Sequence, residues 1–314
     1  MRDAERPGLT GNALEELFDG LRKAGFPAPV SYPTKTDDVP APPDRIGSFP
    51  CERAIVEQPL ELECLTAAQV EALATVMLDD EGVWPWDEEK RSVLNGLEFC
   101  GMELLGCYHP FHAGDSAWGI CLFVDRIGAL GAELAAGSAV PKPLMQGALL
   151  FAVLRHEWHH YVEEVALSHL EVVARRPDYQ AAAAFYRNNW PDGTLNEALA
   201  NARCLQETVA HVKRTRVASA HKQIQQELAA MMSRQRPAYS LFGDFLDTRS
   251  YRSGIAMWMR DAVGRNDAEQ LVIIFEAARL RHRSRKVVPV RLVRTVPVED
   301  DLGSFKVADF PQEW

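Results

Sequence analysis

Residues 151–164 read FAVLRHEWHHYVEE and contain His156-Glu157-Trp158-His159-His160, a match to the pattern H-E-x-x-H. On a helix, residues four apart lie one turn above each other on nearly the same face. His156 and His160 so placed can share one Zn²⁺ at about 2.0–2.1 Å. Glu157 is turned by about 100° from His156, an offset that suits contact with an attacking water rather than with the metal. A carboxylate there can take a proton from that water and later hand it to a leaving amine. Five residues are a short match, so the surroundings have to carry the reading. Val153, Leu154, Tyr161 and Val162 flank the motif with uncharged residues and no proline interrupts it. A helix apolar all round is one sunk into a core, where His156, Glu157 and His160 would be costly without a metal or charge partner.

A catalytic zinc needs a third protein ligand and leaves a fourth position open. Residues 194–203 read TLNEALANAR, which places Glu197 on a helix-favouring stretch 37 residues after His160. That separation allows a second helix to pack back against the first. Asn201, one turn after Glu197, is suited to hydrogen-bond the far nitrogen of a ligating histidine and fix its tautomer, and Asn196 to anchor the outer part of the site. The competing reading of Glu197 is a first-turn carboxylate that merely complements the helix dipole.

HEWHH followed by NEALANA resembles the gluzincin clan of metallopeptidases, in which H-E-x-x-H on one helix is completed by a glutamate on the next. The E-x-x-A-N arrangement of residues 197–201 is closer to the ImmA/IrrE-type bacterial peptidases than to the N-E-x-x-x-D of thermolysin-like enzymes. The resemblance covers residues 119–205. It implies His156, His160 and Glu197 as zinc ligands, Glu157 as catalytic base and Asn201 as a supporting residue. Where thermolysin-like enzymes carry an acid, this chain has the neutral Asn201, which would polarise an imidazole less. Clan members also present an edge strand to the substrate backbone. Here the candidate is GICLFVDRI, with Gly119, Ile120, Cys121 and Leu122 as substrate-binding residues, against the alternative of an interior strand with no free edge.

Other assignments compete for the same residues. His159 sits three residues from His156 and is a rival to His160. Glu157 and His160 form E-x-x-H, the pair used by di-iron helical bundles, but a second such pair is missing, since Glu207 and His211 are four apart. For the oxyanion donor, His211, Tyr239, Tyr251 and Arg252 are available downstream, and Tyr251 is preferred because the break before its helix can reach a site. His109 and His112 are candidates to line a cleft. Phe185, Tyr186 and Trp190 read most simply as core.

The elements that must position these groups follow from pattern. Helices are expected over Ala13–Ala24, Thr66–Leu78, Glu88–Phe99, Met145–Ala174, Leu195–His211, a segment ending near Met231, Ile255–Val263 and Ala268–Leu280. Thr66 and Gln69 have the spacing of a capping box. Gly119–Ile127 reads as a strand, preceded by a loop-like LLGCYHPFHAGDSAW. Val287–Val298 suits an edge strand or extended tail. The prolines between Pro27 and Pro50 mark a linker, or a strap able to occupy the cleft. The expected fold is α+β, a zincin-like core with a small sheet and a mostly helical bundle. It is organised as an N-terminal helix and connector (1–50), an α+β part with the substrate strand (51–142), a helical metallopeptidase part (143–285) and an extended tail (286–314).

Composition narrows the function class. The 314 residues are 47% apolar and 25% charged, ordinary for a soluble globular chain. A net charge of −10 disfavours nucleic-acid binding. The run Arg279, Arg281, Arg283, Arg285, Lys286 is either a solvated helix end or a docking patch for an acidic protein partner. The N-terminal residues carry acids and no apolar core, unlike a signal peptide, and the uncharged stretch Leu144–Leu154 is too short to span a bilayer, which points to a cytoplasmic protein without membrane contact. Six scattered cysteines with no CxxC pair read as reduced, buried thiols. The function expected is zinc-dependent, limited proteolysis of a protein or peptide substrate, with a non-catalytic zinc-binding regulatory protein as the alternative.

Overall fold

The computed structural model describes residues 12–29, 57–79, 84, 102, 105–113, 118–189, 195–235, 237–264, 268–281 and 288–297. The first helix, α1, is Asn12–Ala24. Strand β1 (Glu57–Thr66) runs directly into α2 (Ala67–Asp79). The junction is a reciprocal capping box: Thr66 N–H donates to Gln69 Oε1 at 2.8 Å, and Gln69 N–H donates to Thr66 Oγ1 at 3.3 Å. Strands β2 (Gly106–His109) and β3 (Gly119–Phe123) follow, then α3 (Val124–Ala136). The expected loop before β3 thus holds a strand and a short 3-10 turn, Phe111–Ala113. The expected strand Gly119–Ile127 stops four residues early, because Val124 and Ile127 are buried as the first turn of α3.

Helix α4 (Lys142–Ala174) is the axis of the molecule. Its 33 residues have Pro143 in the first turn and none inside, and apolar side chains cover it nearly all round, so it is buried for most of its length. Gly147 lets α2 approach closely: a Cβ there would stand 2.8 Å from Met77 Cβ. After α4 come α5 (Asp178–Asn189), α6 (Leu195–Val212), α7 (His221–Ser233), the single turn α8 (Pro237–Ser240), α9 (Thr248–Val263) and α10 (Ala268–Arg281). One hydrophobic cluster joins α1, the sheet and these helices other than α8, from Leu14 to Leu292. The architecture is mostly helical with a small mixed sheet, an α+β arrangement. No helix among the described residues is long and apolar enough to cross a membrane.

The last strand among the described residues, β4 (Pro289–Pro297), changes the reading of the sheet. The order is β1-β4-β3-β2, with β4 antiparallel to β1 and parallel to β3. It is therefore interior, not the edge strand expected of Val287–Val298. Its prolines fall at its first and last residues, where they spare the ladder. Gly119 makes the β3–β4 contact possible: its φ is +129°, and a Cβ would meet the Pro289 carbonyl oxygen at 2.6 Å. Interior position also corrects the substrate assignment. Gly119, Ile120, Cys121 and Leu122 pair with His109–Gly106 on one side, and Ile120–Leu122 with Val290–Leu292 on the other. They offer no free edge, whereas β2 is at the margin of the described sheet.

The expected helix Glu88–Phe99, the connector beyond Ala28 and Pro29, Trp190 and most of the basic run lie outside the described residues. Of that run, the Arg279 side chain is described, and it bonds Glu276 at 2.7 Å. Cys107, Cys121 and Cys204 are not in disulfide bonds.

Candidate metal centre

His156 and His160 project from α4 one turn apart, and Glu197 projects from the first turn of α6. These three are the group of metal-ligating type among the described residues. His156 Nε2 stands 3.3 Å from His160 Nε2 and 3.2 Å from Glu197 Oε2, and the third edge, His160 Nε2 to Glu197 Oε2, is 3.5 Å. Glu197 Oε2 is buried and accepts no hydrogen bond, although two imidazole nitrogens face it. A buried carboxylate oxygen left without a bond is costly, and so are two ring nitrogens turned toward one another. A cation at their common point would satisfy all three, so the residues fit a metal ion.

Each ligand is held from behind. Asn201, one turn along α6, donates from its amide nitrogen to Gln235 Oε1 at 2.8 Å and to the Tyr239 carbonyl at 3.2 Å. Its Oδ1 therefore must face His156 Nδ1, 3.0 Å away. The His156 proton then sits on Nδ1 and leaves the Nε2 lone pair toward the centre. Glu163 Oε2 takes the same part for His160, 3.0 Å from its Nδ1. Tyr186 donates its hydroxyl to Glu197 Oε1 at 2.9 Å. Asn196 is buried but makes no hydrogen bond to the three ligands; its Oδ1 accepts none.

Burial and neighbouring charge act differently on the members of the centre. Burial pushes His156 below the usual imidazole value and keeps it neutral, as a ligand must be. Burial would also lower His160, but the Glu197 and Glu163 carboxylates outweigh it and raise it well above that value. Burial alone would raise the Glu197 carboxyl; the facing His160 and His156 hold it well below the carboxylate range instead. In Glu163 the burial effect is likewise overcome, by His159 and then His160, and the carboxyl is held down to about 2.

Glu157 is 3% exposed on the same helix. Its charge helps raise the thiol of Cys107 on β2, after the Cys121 hydrogen bond and burial, and that of Cys204 on α6, after burial and Glu207. The helix that carries it packs against both β2 and α6.

Several expected roles move. Tyr251 does not reach the ligands; its buried hydroxyl bonds His159 Nδ1 at 3.1 Å. His159 cannot rival His160, because its Nε2 is engaged by Glu163 at 3.0 Å. His112 lines no cleft: it is wedged between Glu164, 2.8 Å from Nδ1, and Glu171, 2.6 Å from Nε2. His211 is bonded to Thr75 at 3.0 Å, and Glu207 pairs with Arg155 and Arg203, so these two do not form a second metal pair. Tyr186, read as core, is a partner of a ligand. Glu163 went unnoticed, yet its spacing of four from His159 and three from His160 is the signal that would have found it. Comparison with protein-family models, with curated proteins and with solved structures found no match.

Proposed function

We propose that the protein is a zinc-dependent metallopeptidase of the gluzincin type, cutting a protein substrate in limited, regulatory proteolysis. The observation that carries this reading is the triangle of donor atoms. Ligands at about 2.0–2.1 Å in a tetrahedral site stand about 3.3–3.4 Å apart. The edges of 3.2, 3.3 and 3.5 Å bracket that spacing. His156, His160 and Glu197 would hold the ion, with two nitrogens and one oxygen, a donor set used by catalytic zinc. Bound there, Zn²⁺ supplies Lewis-acid polarisation of a carbonyl and lowers the pKa of water.

The chain's own residues supply the rest. Glu157, beside the ligands on α4, takes the proton of the attacking water and returns it to the leaving amine. Tyr186 donates its hydroxyl to Glu197 and Tyr251 is engaged with His159, so both act as supports of the centre rather than as oxyanion donors. β2, at the margin of the described sheet and packed on α4, takes over from β3 as the strand against which a substrate backbone would pair.

A second reading, a zinc-binding regulatory protein without turnover, is favoured by burial: the His156 and Glu197 side chains are 2% and 3% exposed, and His160 17%. One experiment separates them. Wild type should carry one zinc per chain and cut peptides; His160→Ala should lose the metal; Glu157→Gln should keep it and lose about 10²–10⁴-fold in turnover. Absence of zinc from wild type sinks both readings. Full turnover in Glu157→Gln sinks the catalytic assignment, and zinc without any cleavage selects the second reading.

A further inference from the structure

His160 is the most exposed of the three ligands, and its orientation rests on a chain of buried groups that the reaction itself does not use. Nδ1 of His160 lies 3.0 Å from Glu163 Oε2. Oε1 of the same carboxylate lies 3.0 Å from His159 Nε2, and His159 Nδ1 lies 3.1 Å from the Tyr251 hydroxyl. Glu163, His159 and Tyr251 are 5%, 3% and 4% exposed, so water does not substitute for these bonds. An ionised carboxylate only accepts, and both imidazoles must therefore donate to it. That places the His160 proton on Nδ1 and leaves its Nε2 lone pair for a cation. It places the His159 proton on Nε2 and makes His159 Nδ1 the acceptor of the Tyr251 O–H. Every proton in the chain then has one position.

We propose that Glu163 is the positioning residue for His160, and that His159 and Tyr251 form a brace that ties it to α9. Resting on the metal reading of the centre, the brace gives the fourth motif residue a task. With both nitrogens occupied, His159 is removed as a competing ligand and made into a support. Asn201 does the same work for His156 from α6, so the two imidazoles are fixed from opposite elements.

The alternative is that the chain only satisfies buried polar atoms. In that case Tyr251→Phe, which removes one hydroxyl, lowers stability and leaves zinc affinity alone. The brace instead requires a coupled loss. Zinc affinity, measured by chelator competition, should fall about 10–100-fold in Glu163→Leu. In Tyr251→Phe it should fall several-fold, and adding Tyr251→Phe to Glu163→Leu should cost nothing more. Glu163→Gln is a partial rescue, because its amide oxygen can still accept from His160 while its nitrogen meets His159 in the other tautomer. Nitrogen-15 NMR of metal-free protein, at a pH high enough to make His160 neutral, supplies a second readout: His160 should carry its remaining proton on Nδ1 in wild type, with that preference weakened in Tyr251→Phe. Unchanged zinc affinity in Glu163→Leu, or additive losses in the double variant, overturns the proposal. Should Glu163→Leu fail to fold, Tyr251→Phe with an unaltered His160 tautomer overturns it equally. Wild type that binds no zinc removes the metal reading, and the tautomer of His160 then decides the brace alone.

Discussion

Asn201 shows how much a neutral side chain can do for a candidate metal site. Its amide nitrogen has two acceptors, Gln235 and the Tyr239 carbonyl, and this prevents the amide from turning over. The oxygen is thereby committed to His156, and the imidazole has one usable tautomer. Replacing Asn201 with Ala frees that ring, so zinc affinity should drop about 10–100-fold with the helix intact, as circular dichroism would show. An affinity within twofold of wild type would mean the stacked Tyr239 ring, with centroid 6.2 Å from His156, orients the imidazole by itself. At this scale the sequence was informative where spacing is local. His156, His160, Glu197 and Asn201 all follow from helical repeats of four within two segments. Tyr186 and Tyr251 did not, because which helix faces which is set by packing between residues distant in the chain.

α4 carries a second buried polar set, farther along the helix than the metal centre. Glu164 and Glu171, spaced by seven, close on His112, and Tyr179 stacks over the imidazole with centroids 4.1 Å apart. Glu164 also accepts the Tyr108 hydroxyl and the backbone N–H groups of Phe111 and His112. The set fastens the turn after β2 to α4, and so holds the sheet margin against the helix. Burial would lower the His112 pKa, but the two carboxylates outweigh it and raise it from 6.5 to about 9. A raised value stabilises the fold fully below pH 6.5, and the contribution is lost as pH climbs to about 9. Metal-free wild type should therefore lose up to about 3 kcal/mol relative to His112→Gln between pH 6 and pH 9.5, read by denaturant unfolding at each pH. A constant difference between the two proteins across that range would show that folding leaves the His112 pKa unshifted. The sequence gives no hint of this clamp. His112 precedes Glu164 by 52 residues, too far for any helical or strand spacing to link them. What was legible in the elements was their length and type. α4 and α6 match expectation within a few residues, since periodicity is a local property. Strand neighbours are not local, and the place of β4 between β1 and β3 is invisible to any pattern in residues 287–298.

For the molecule as a whole, the separation between where the chemistry sits and what supports it is the main physical point. The ligands fall within residues 156–197, yet the strand that joins the two halves of the sheet is the last one described. Val288, Val290, Leu292 and Val293 are fully buried there and pack into the same cluster as α3 and α4 or into the sheet beside it. Each fully buried aliphatic side chain is worth about 1.5–3 kcal/mol. Losing four removes about 6–12 kcal/mol, as much as the whole stability of an ordinary domain, about 5–15 kcal/mol. A chain shortened to end at residue 287 also leaves the inner edges of β1 and β3 unpaired. It should unfold without cooperativity and lose zinc binding, although every ligand and every supporting residue named above is still present. Calorimetry and chelator competition on the shortened chain test this directly. Cooperative melting with wild-type zinc affinity would show that α4, α6 and the helices around them are self-sufficient. The sheet would then serve the substrate rather than the metal, and the marginal strand β2, not β4, would be the part of it that matters to activity.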